Sequence, residues 1–588
     1  MHTPNVRVAS AAAWLKARTR VRDPSSWALP KQSSSVAPEH VWSNIDQDPV
    51  PIEKRTWTGW SFTWYWFSDL VTIAGWSAAS SVMTTGLSAT DAILITLVAA
   101  LCNAIPTVLN GSGFDRFIVS KLQLTNIHRA IGADLHIAFP IAARASYGYW
   151  LSYFCVVSRG ILALFWFGVQ SAYGGQCVTI VIRSIWPSYA HLANHLPTSS
   201  GITTQGMVSY FLYWLIQFPF MLIPTHKLQY MFWFKTMLVL PTALAMVIWI
   251  SFRAGGNSTA FFQAPPTVHG SERAWLWLSS MTSVTGGFST LAVNIPDFSR
   301  FAKRPGSQIW QLPMIPLFKC IVGVFGVVAA AAAKEIYGKV LWSPLDIIAM
   351  WLTTPGGRAA AFFSGCVWLL AQLSVNISAN SISFANDITT LFPRWFNIRR
   401  GVIFAALVGG WVMCPWIIIK SAKSLLSFLS AYAIFMAPMA GILFCDYWLV
   451  KRRKYDVPAL YDPRGLYRYK YGVNWRALIT TVVVIVPLLP GMANKVTPAS
   501  VHIDQGLKNL FAFNWIYGFC LSIAMYWVLN VVSPDKRTLI PEVVHGTSPI
   551  LDGISVDSDA ERQMSYQGDT KPSMEMSGAK EIGLVAAI

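Results

Sequence analysis

The sequence predicts an all-α integral membrane protein with about twelve transmembrane helices, each needing about 20 apolar residues to cross a bilayer. Three observations support this fold class. Only 12% of the 588 residues are charged and 54% are hydrophobic, whereas a soluble domain carries roughly 25% charged residues. Apolar runs of spanning length recur from residue 60 to residue 532. One of these runs carries a stripe of polar side chains, which is costly in contact with lipid.

The apolar runs set the order of the elements, which we number as spans 1 to 12. A polar segment of residues 1–59 precedes them and another, of residues 533–588, follows. Both are predicted to be cytoplasmic tails, although residues 1–22, which lack acidic residues, also fit a mitochondrial presequence. The C-terminal tail has few large apolar residues to bury and is predicted to be disordered. The spans cover residues 60–86, 91–110, 148–183, 204–224, 226–252, 274–295, 308–333, 359–390, 401–420, 424–450, 475–493 and 511–532.

The basic residues predict how the chain is oriented. The net charge is +18, but with a cytoplasmic N-terminus the basic clusters fall in the loops after even-numbered spans, and the opposite loops hold scattered residues such as Arg273 and Lys339. This is the positive-inside pattern of membrane proteins. The charge therefore indicates topology, and no nucleic-acid partner is expected. The clusters are Arg300, Lys303 and Arg304; Arg394, Arg399 and Arg400; and Lys451 to Lys454.

Spans 1 and 6 carry features of broken helices. In span 1, Asp69, Thr72 and Trp76 lie within about 60° of one another, and the helix is expected to soften at Ala74-Gly75. In span 6 the pair Gly286-Gly287 interrupts an apolar run, and glycine weakens a helix. These spans correspond to each other in two five-helix halves, so the pattern is typical of an inverted-repeat transporter. Close helix packing at the glycine pair is the alternative.

Spans 3 and 8 each carry polar side chains on one face. In span 3, Arg159, Trp166 and Gln170 recur at helical spacing. In span 8 four polar residues fall within about 80° of one another on a helical wheel. Such groups normally line a bundle interior, a cavity or a transport path. The stripe therefore predicts a polar solute site within the membrane, and its members are Gln372, Asn376, Asn380 and Asp387.

Other chemistries lack their motifs in this sequence. The cysteines show no CxxC or Cys/His spacing, the histidines form no HExxH pattern, and the chain contains no GxxxxGK[ST] phosphate loop. No cofactor, metal site or ATP-driven step is therefore expected. A channel and a membrane-embedded enzyme are the alternatives from other classes. A channel would show non-saturating flux, and an enzyme would need a His, Cys or carboxylate constellation that we do not find.

Several motifs resemble the fungal uracil/allantoin permease (Fur-type) branch of the nucleobase–cation symporter family. The matching motifs occur in the order typical of the family, from about Trp42 to Ser533. The motifs are WFGVQ at 166–170 with Gly174-Gly175, NIPDFSRF at 294–301, NISANS at 376–381 leading to Asn386-Asp387, HIAFP at 136–140, PRWFNIRR at 393–400 and GVNWR at 472–476.

The resemblance implies a LeuT-like fold of five plus five inverted helices and two more, in a plasma-membrane importer that holds its substrate at mid-membrane. It also implies that Trp166 stacks on one face of a planar ring and Phe288 covers the other. Gln170 and Asn380 would then hydrogen-bond the amide edge of the ring. A flat heterocycle with alternating N–H and C=O groups independently suits aromatic stacking and amide side chains.

The candidate substrate site departs from the family pattern at two places. Thr72 and Gly287 stand where many relatives have Asn, which leaves the substrate open among uracil, allantoin and related rings. Bacterial relatives that use sodium carry a Ser-Thr pair in span 8, where this chain has Ser374 and Val375. Because valine supplies no oxygen ligand, we interpret the sodium site as degenerate and expect no metal.

A proton is therefore the predicted coupling ion. Desolvation favours the neutral form of a carboxyl group inside a membrane, so Asp69 and Asp387 are the candidate carriers, and Asn376 joins them as a candidate for coupling or gating. The sequence thus predicts a secondary active transporter that imports a purine- or pyrimidine-type heterocycle by proton symport with alternating access. A thiamine or nucleoside transporter of the same family is the alternative.

Two further segments carry predictions. Residues 112–129 are extra relative to the family, and the end of this segment, LTNIHR at 124–129, can be encoded by bases that match a fungal branch point and acceptor site. We interpret the segment as a retained intron, with a genuine loop insertion as the alternative. In the C-terminal tail, Lys571 and Lys580 are predicted acceptors for a ubiquitin ligase.

Overall fold

The computed structural model describes residues 27–111, 131–223, 228–255 and 265–546. Within these ranges the secondary structure is helical, with isolated β-bridges and no strand. Eight of the described helices are long and apolar enough to cross a membrane. They correspond to spans 2, 3, 5, 7, 8, 10, 11 and 12, whereas spans 1, 4, 6 and 9 are broken or shorter. The predicted insertion at 112–129 and the predicted ubiquitin acceptors lie outside the described residues.

Each predicted span has its helix. The unbroken spans are Ala89–Gly111 (span 2), Ser152–Ile185 (span 3), Thr204–Phe220 (span 4), Leu228–Arg253 (span 5), Gln311–Tyr337 (span 7) and Asn514–Val532 (span 12). The interrupted ones are Gly59–Leu70 and Ile73–Ser80 (span 1), Gly270–Gly286, Ser289–Asn294 and Pro296–Ser299 (span 6), Pro355–Val375, Asn376–Ile382 and Ser383–Leu391 (span 8), Ile398–Leu407, Val408–Val412 and Pro415–Lys420 (span 9), Ala422–Phe444 and Cys445–Val450 (span 10), and Trp475–Ile485, Val486–Leu488 and Leu489–Val496 (span 11).

Span 1 breaks earlier than the sequence predicted. The helix is interrupted at Val71 and Thr72, which have extended or irregular backbone angles, whereas Gly75 lies inside the second helical segment. Gly75 is needed for space, because a Cβ at this position would come within 2.5 Å of the carbonyl oxygen of Leu70. The hydroxyl of Thr72 accepts a hydrogen bond of 3.1 Å from the backbone N–H of Gly75. The break is therefore set by this N-cap, and the prediction of a break at Ala74-Gly75 was wrong by about one helical turn.

The break of span 6 lies at the predicted position, next to the glycine pair Gly286-Gly287. The first helical segment ends at Gly286, and Phe288, with φ −127° and ψ 11°, separates it from the next segment. Gly286 packs against the backbone of span 10, where a Cβ would lie 2.0 Å from the carbonyl oxygen of Leu429. The glycine pair thus allows both the break and the close packing that was its alternative.

Span 8 contains a π-helical segment that a uniform helical wheel does not describe. Residues Asn376–Ile382 form this segment between two α-helical ones. A π turn holds more residues than an α turn, and such segments are frequent at functional sites. Two members of the polar stripe nevertheless contact span 3. Asn376 contacts the backbone of Phe167, and Asp387, about three turns farther along, contacts Arg159.

The packing of the spans follows the two predicted halves. Spans 2 and 7 pack along each other, as do spans 3 and 8, and these are corresponding members of the halves. Span 5 packs on the first segment of span 1, and span 10 packs on the first segment of span 6. Each broken helix therefore has the equivalent neighbour, as an inverted repeat requires.

A buried carboxylate ties several elements together at one end of the bundle. Asp446, in the last turn of span 10, accepts hydrogen bonds from Tyr455 at 2.7 Å, from Tyr526 of span 12 at 2.8 Å and from Ser146 at 3.1 Å. The ammonium of Lys451 lies 2.6 Å from the same carboxylate. Since a buried charge is costly unless it is paired and hydrogen-bonded, this cluster, which we call the Asp446 hub, fixes these elements relative to one another.

The described parts of both predicted tails pack onto the spans. Gln47 donates to the carbonyl of Asn386 and accepts from the hydroxyl of Thr390, both in span 8. At the other end, the N–H of Val544 donates to the carbonyl of Tyr455 at 3.0 Å. The described residues 533–546 belong to the same compact unit as the spans, and the predicted disorder of the remaining C-terminal residues lies outside the described part of the chain.

Candidate functional site

Trp166 is held in place by a hydroxyl that also contacts the break of span 6. Its indole N–H donates a hydrogen bond of 3.0 Å to the hydroxyl of Tyr432 in span 10. The same hydroxyl donates to the carbonyl of Gly286 at 2.5 Å, a carbonyl at the end of the first helical segment of span 6. The ring of Trp166 also meets Phe428 at a centroid distance of 5.9 Å and an angle of 65°. These contacts fix the plane of the indole beside the break.

Gln170 lies one turn beyond Trp166 on the same face of span 3. Its side chain is 5% exposed, and its oxygen Oε1 is buried without a hydrogen-bond partner among the described residues. An unpaired buried amide costs about 1–3 kcal/mol, and such groups are rare in folded proteins. The oxygen of Gln170 is therefore free to accept a hydrogen bond, and a ligand as the donor stays a prediction.

Asn380 lies in the π-helical segment of span 8 and is positioned by its neighbour Asn376. The amide of Asn380 donates to Oδ1 of Asn376 at 2.9 Å. The amide nitrogen of Asn376 in turn lies within hydrogen-bond distance of Oγ of Ser171 and of Oε1 of Gln217. Asn376 thus links spans 3, 4 and 8. This uncharged linker orients Asn380, and a coupling or gating role for Asn376 stays a prediction.

Phe288 and Gly287 form the break of span 6 and are partly exposed, whereas the residues just before them are buried. The Phe288 ring packs beside spans 1 and 7, and the ammonium of Lys319 in span 7 lies 5.2 Å from its centroid. Lys319 also donates to the carbonyl of Val284 at 3.0 Å. Within the described ranges the rings of Phe288 and Trp166 do not contact each other. The predicted sandwich, with one ring on each face of a substrate, therefore stays a prediction.

Thr72 lies at the break of span 1 and is fully buried. Its hydroxyl oxygen accepts from the N–H of Gly75, as described above. The observed role of Thr72 is therefore that of a helix cap, and contact with a substrate stays a prediction.

Asp387 belongs to a buried charge cluster near one end of spans 3 and 8. It forms an ion pair with Arg159 of span 3, and the same guanidinium lies 4.0 Å from the carboxylate of Asp297 in span 6. Asp297 also accepts from the backbone N–H of Phe139 at 2.9 Å. Because all three charged groups are buried, loss of one charge by protonation would change the attraction between spans 3, 6 and 8.

Asp69 belongs to a second buried cluster, at the end of the first segment of span 1. Its carboxylate accepts from the hydroxyl of Ser378 in span 8 at 3.0 Å. The opposite charge that acts on it is the ammonium of Lys235 in span 5, which donates to the backbone carbonyl of Ser68. The hydroxyls of Ser68 and Ser374 lie 3.2 Å apart. Val375, next to Ser374, is buried, and its side chain contributes no oxygen.

Sequence reasoning proposed the aromatic and amide residues but missed three groups at the breaks of spans 1 and 6, namely Lys235, Lys319 and Tyr432. Lys235 and Lys319 each stand alone in an apolar run, and an ionisable residue inside a span is by default a candidate for function. That rule would have identified both. Tyr432 could not be found in this way, because a tyrosine in a span is an ordinary packing residue. Gln372, the first member of the stripe, is buried with neither amide atom hydrogen-bonded in the described part of the chain.

The chain matches known proteins over most of its length. A family profile described as permease for cytosine/purines, uracil, thiamine and allantoin matches residues 49–114 and 118–518. The allantoin permease of Saccharomyces cerevisiae is 32% identical over 506 residues, which is 84% of this chain and 76% of the relative. The uracil permease of the same yeast is 32% identical over 503 residues, with the same shares of both chains.

The fold also matches a solved structure. Mhp1, a nucleobase-cation-symport-1 family transporter in a closed conformation with bromovinylhydantoin bound, superposes with a TM-score of 0.63 at 21% identity. The match covers 84% of this chain and 98% of that one, which confirms the predicted LeuT-like α-helical fold. Taken together, the profile and the yeast relatives mean that the chain belongs to the family of permeases for cytosine/purines, uracil, thiamine and allantoin, in its fungal uracil/allantoin branch.

Proposed function

We propose that this protein imports a flat, uncharged heterocycle such as uracil, allantoin or a related nucleobase by proton symport with alternating access. The observation that carries the proposal is the unpaired amide oxygen of Gln170, buried one helical turn from the anchored ring of Trp166. A ring N–H would satisfy that oxygen, while the indole would stack on the ring face. The yeast relatives named as uracil and allantoin permeases support this class of solute.

The charge near the break of span 6 favours a neutral solute that carries carbonyl groups. The ammonium of Lys319 lies against Phe288, and in the described ranges no carboxylate forms an ion pair with it. In its protonated form, Lys319 beside the site repels a cation. A cationic substrate such as thiamine, the alternative within the family, is therefore disfavoured.

The two buried carboxylates are the proposed proton carriers. Asp387 is paired with Arg159, and Asp69 faces Lys235. Protonation of either carboxylate removes one half of a pair that joins two spans, so proton binding can change which arrangement of the spans is favoured. We place the protein in the plasma membrane with both termini in the cytoplasm, because the basic loops and the importing role agree with that orientation.

Uptake of labelled heterocycles in cells that lack their own permeases tests the substrate site. Trp166→Ala, Gln170→Ala and Asn380→Ala should each lower uptake about tenfold to a hundredfold, since stacking and a buried hydrogen bond are each worth roughly 1–3 kcal/mol. Trp527→Ala is the matched control, because that indole is 47% exposed on span 12. Saturable uptake at the wild-type rate by Asn380→Ala, at equal surface amount, would remove the proposed site.

The coupling ion is tested in the same cells. We expect uptake to be unchanged when sodium is replaced by choline and to collapse when a protonophore dissipates the proton gradient. A strict requirement for sodium would contradict the assignment of Asp69 and Asp387 as carriers.

A further inference from the structure

Arg144 carries a buried guanidinium that no carboxylate neutralises within the described part of the chain. It lies in the helix Phe139–Tyr147, between spans 2 and 3, and is 5% exposed. Its Nη1 donates to the carbonyl of Leu460 at 2.9 Å, and its guanidinium lies 4.4 Å from the centre of the Tyr149 ring. Its Nε is buried without a hydrogen-bond partner among the described residues. Since a buried charge is costly unless it is paired and hydrogen-bonded, this guanidinium is incompletely satisfied.

A second unpartnered polar atom belongs to the same cavity. Arg144 and Thr389, in the last segment of span 8, both line a cavity of about 60 Å³, which we call the Arg144 cavity. Thr389 is fully buried, and its hydroxyl has no hydrogen-bond partner in the described ranges. The adjacent Thr390 also lines the cavity, but its one hydroxyl proton is directed to Oε1 of Gln47 and to the carbonyl of Asn386. Two donors, the Nε–H of Arg144 and the O–H of Thr389, are therefore available to a ligand.

The cavity reaches the protein surface beside the predicted cytoplasmic face of the membrane. Trp42, Tyr153 and Pro393, which also line it, are partly exposed. Trp150, just before the helix of span 3, is 50% exposed, and tryptophan and tyrosine are enriched at the membrane–water interface. The guanidinium of Arg394, in the basic loop after span 8, lies 5.4 Å from the centre of the Trp42 ring. A group that enters from the lipid headgroups therefore meets a positively charged surface.

The charges around the cavity favour an anion over water as its occupant. A cavity needs about 10–15 Å³ to hold a water molecule, so water fits and would satisfy both free donors. Water supplies no negative charge, however, and arginine stays protonated in proteins. The titratable groups that Arg144 acts on are Tyr153 and Tyr461, and tyrosine is neutral near pH 7. Asp48, the carboxylate that also acts on Tyr461, is already engaged by the hydroxyl of Ser34 at 2.7 Å.

We propose that the Arg144 cavity binds a phosphate group, either from the headgroup of an anionic phospholipid in the cytoplasmic leaflet or as free inorganic phosphate. A guanidinium presents paired N–H donors to phosphate oxygens, and the hydroxyl of Thr389 donates to a further oxygen. Basic pockets between transmembrane helices on the cytoplasmic side bind lipid headgroups in this way. Because Asn44 of the N-terminal segment also lines the cavity, a bound phosphate would join that segment to span 8 and to the helix of Arg144. The inference goes beyond the proposed transport function, and only the choice of leaflet rests on the orientation proposed with it.

Thermal unfolding of the purified full-length protein in detergent tests the proposal without any transported substrate. Inorganic phosphate is compared with chloride at equal ionic strength, and dioctanoyl phosphatidic acid is compared with dioctanoyl phosphatidylcholine. We expect phosphatidic acid to raise the unfolding temperature saturably, because a ligand that binds only the folded state stabilises it. An equal rise with inorganic phosphate identifies the free ion as sufficient, whereas a rise with the lipid alone identifies the headgroup as the source. No rise with either probe would overturn the proposal.

Thr389→Val is the decisive variant, because it removes a hydroxyl that bonds to no described residue. Without a probe it should unfold at or above the wild-type temperature, since a buried unpaired hydroxyl is lost. Its apparent affinity for the stabilising probe should fall about tenfold, as expected for loss of a hydrogen bond to a charged group. Thr390→Val, the matched control, loses bonds to Gln47 and Asn386, so it should unfold at a lower temperature but keep the wild-type affinity. Wild-type affinity of Thr389→Val, or an equal loss of affinity in both variants, would contradict the inference.

A second pair of variants separates a built site from the general charge of this face. Arg144→Gln removes the guanidinium charge but keeps an amide that can donate to the carbonyl of Leu460, and its affinity for the probe should fall about tenfold to a hundredfold. Arg399→Gln, at an exposed arginine of the basic loop, should keep the wild-type affinity. An equal loss in both variants would show a response to net charge alone and would overturn the site. If Arg144→Gln does not fold, the comparison of Thr389→Val with Thr390→Val still decides, and failure of heterocycle uptake would leave this result unchanged.

Discussion

Replacing Gly286 by alanine should push spans 6 and 10 apart. An added Cβ would lie 2.0 Å from the carbonyl oxygen of Leu429 and 2.8 Å from its carbonyl carbon. Non-bonded heavy atoms sit at about 3.5 Å, so the two backbones must separate by more than about 1 Å. Overpacking of this kind costs about 1–3 kcal/mol, and the better helix propensity of alanine offsets up to about 1 kcal/mol of it.

The displacement also reaches the substrate site. The carbonyl of Gly286 accepts from Tyr432, and that hydroxyl holds the indole of Trp166. A net cost of about 1–2 kcal/mol corresponds to roughly a tenfold loss, so Gly286→Ala should lower both the unfolding temperature and the uptake efficiency. The assays are thermal unfolding of purified protein and initial uptake rates normalised to the amount of protein at the cell surface.

The neighbouring glycine is the control for this prediction. A Cβ at Gly287 would meet Val284 O at 3.5 Å and Leu429 Cδ2 at 3.8 Å, which are ordinary contacts, and the backbone there is right-handed helical. Gly287→Ala should therefore keep the wild-type unfolding temperature, whatever its effect on substrate affinity. Wild-type stability of Gly286→Ala, or equal destabilisation by both changes, would refute the packing argument.

Three further substitutions test the candidate site, and one experiment tests the retained-intron interpretation. Tyr432→Phe should raise the KM for uptake about tenfold, because the N–H of Trp166 loses its acceptor; a KM equal to wild type would show that the hydroxyl does not position the ring. Asp387→Asn should keep exchange of labelled substrate but lose accumulation against a gradient, so proton-driven accumulation by this variant would exclude Asp387 as a carrier. Gly287→Asn should alter the preference within a panel of rings, and an unchanged ranking would separate Gly287 from specificity. Sequencing of the messenger RNA should show a main species without the codons for 112–129, and their presence would end the intron interpretation.

Much of the fold could be predicted because hydropathy is a local property of the chain. Each of the twelve spans has its helix, and the glycine pair located the break of span 6. The break of span 1 was misplaced because Gly75 is required by a close approach to Leu70. The actual break depends on Lys235 and on the cap by Thr72, and the lysine comes from a span far along the chain.

The candidate site was predictable in its residue types but not in its connections. The helical wheel correctly placed Asn376 and Asp387 toward span 3, although a π-helical segment begins at Asn376. It could not reveal that Asp387 is paired with Arg159, or that Asn380 is held by Asn376. Such pairings are set by the packing of separate spans, and no local pattern in one span contains them.

The Asp446 hub cannot form completely until the last span has been synthesised. Tyr526 meets the carboxylate from 80 residues farther along the chain, so span 10 enters the membrane well before its last hydrogen-bond partner has been synthesised. Until span 12 arrives, the carboxylate has Lys451, Tyr455 and Ser146 as its partners. A chain cut short before Tyr526 retains every residue of the candidate substrate site but leaves this acid incompletely satisfied. Completion of the last span is therefore a condition for satisfying this buried acid with all of its partners.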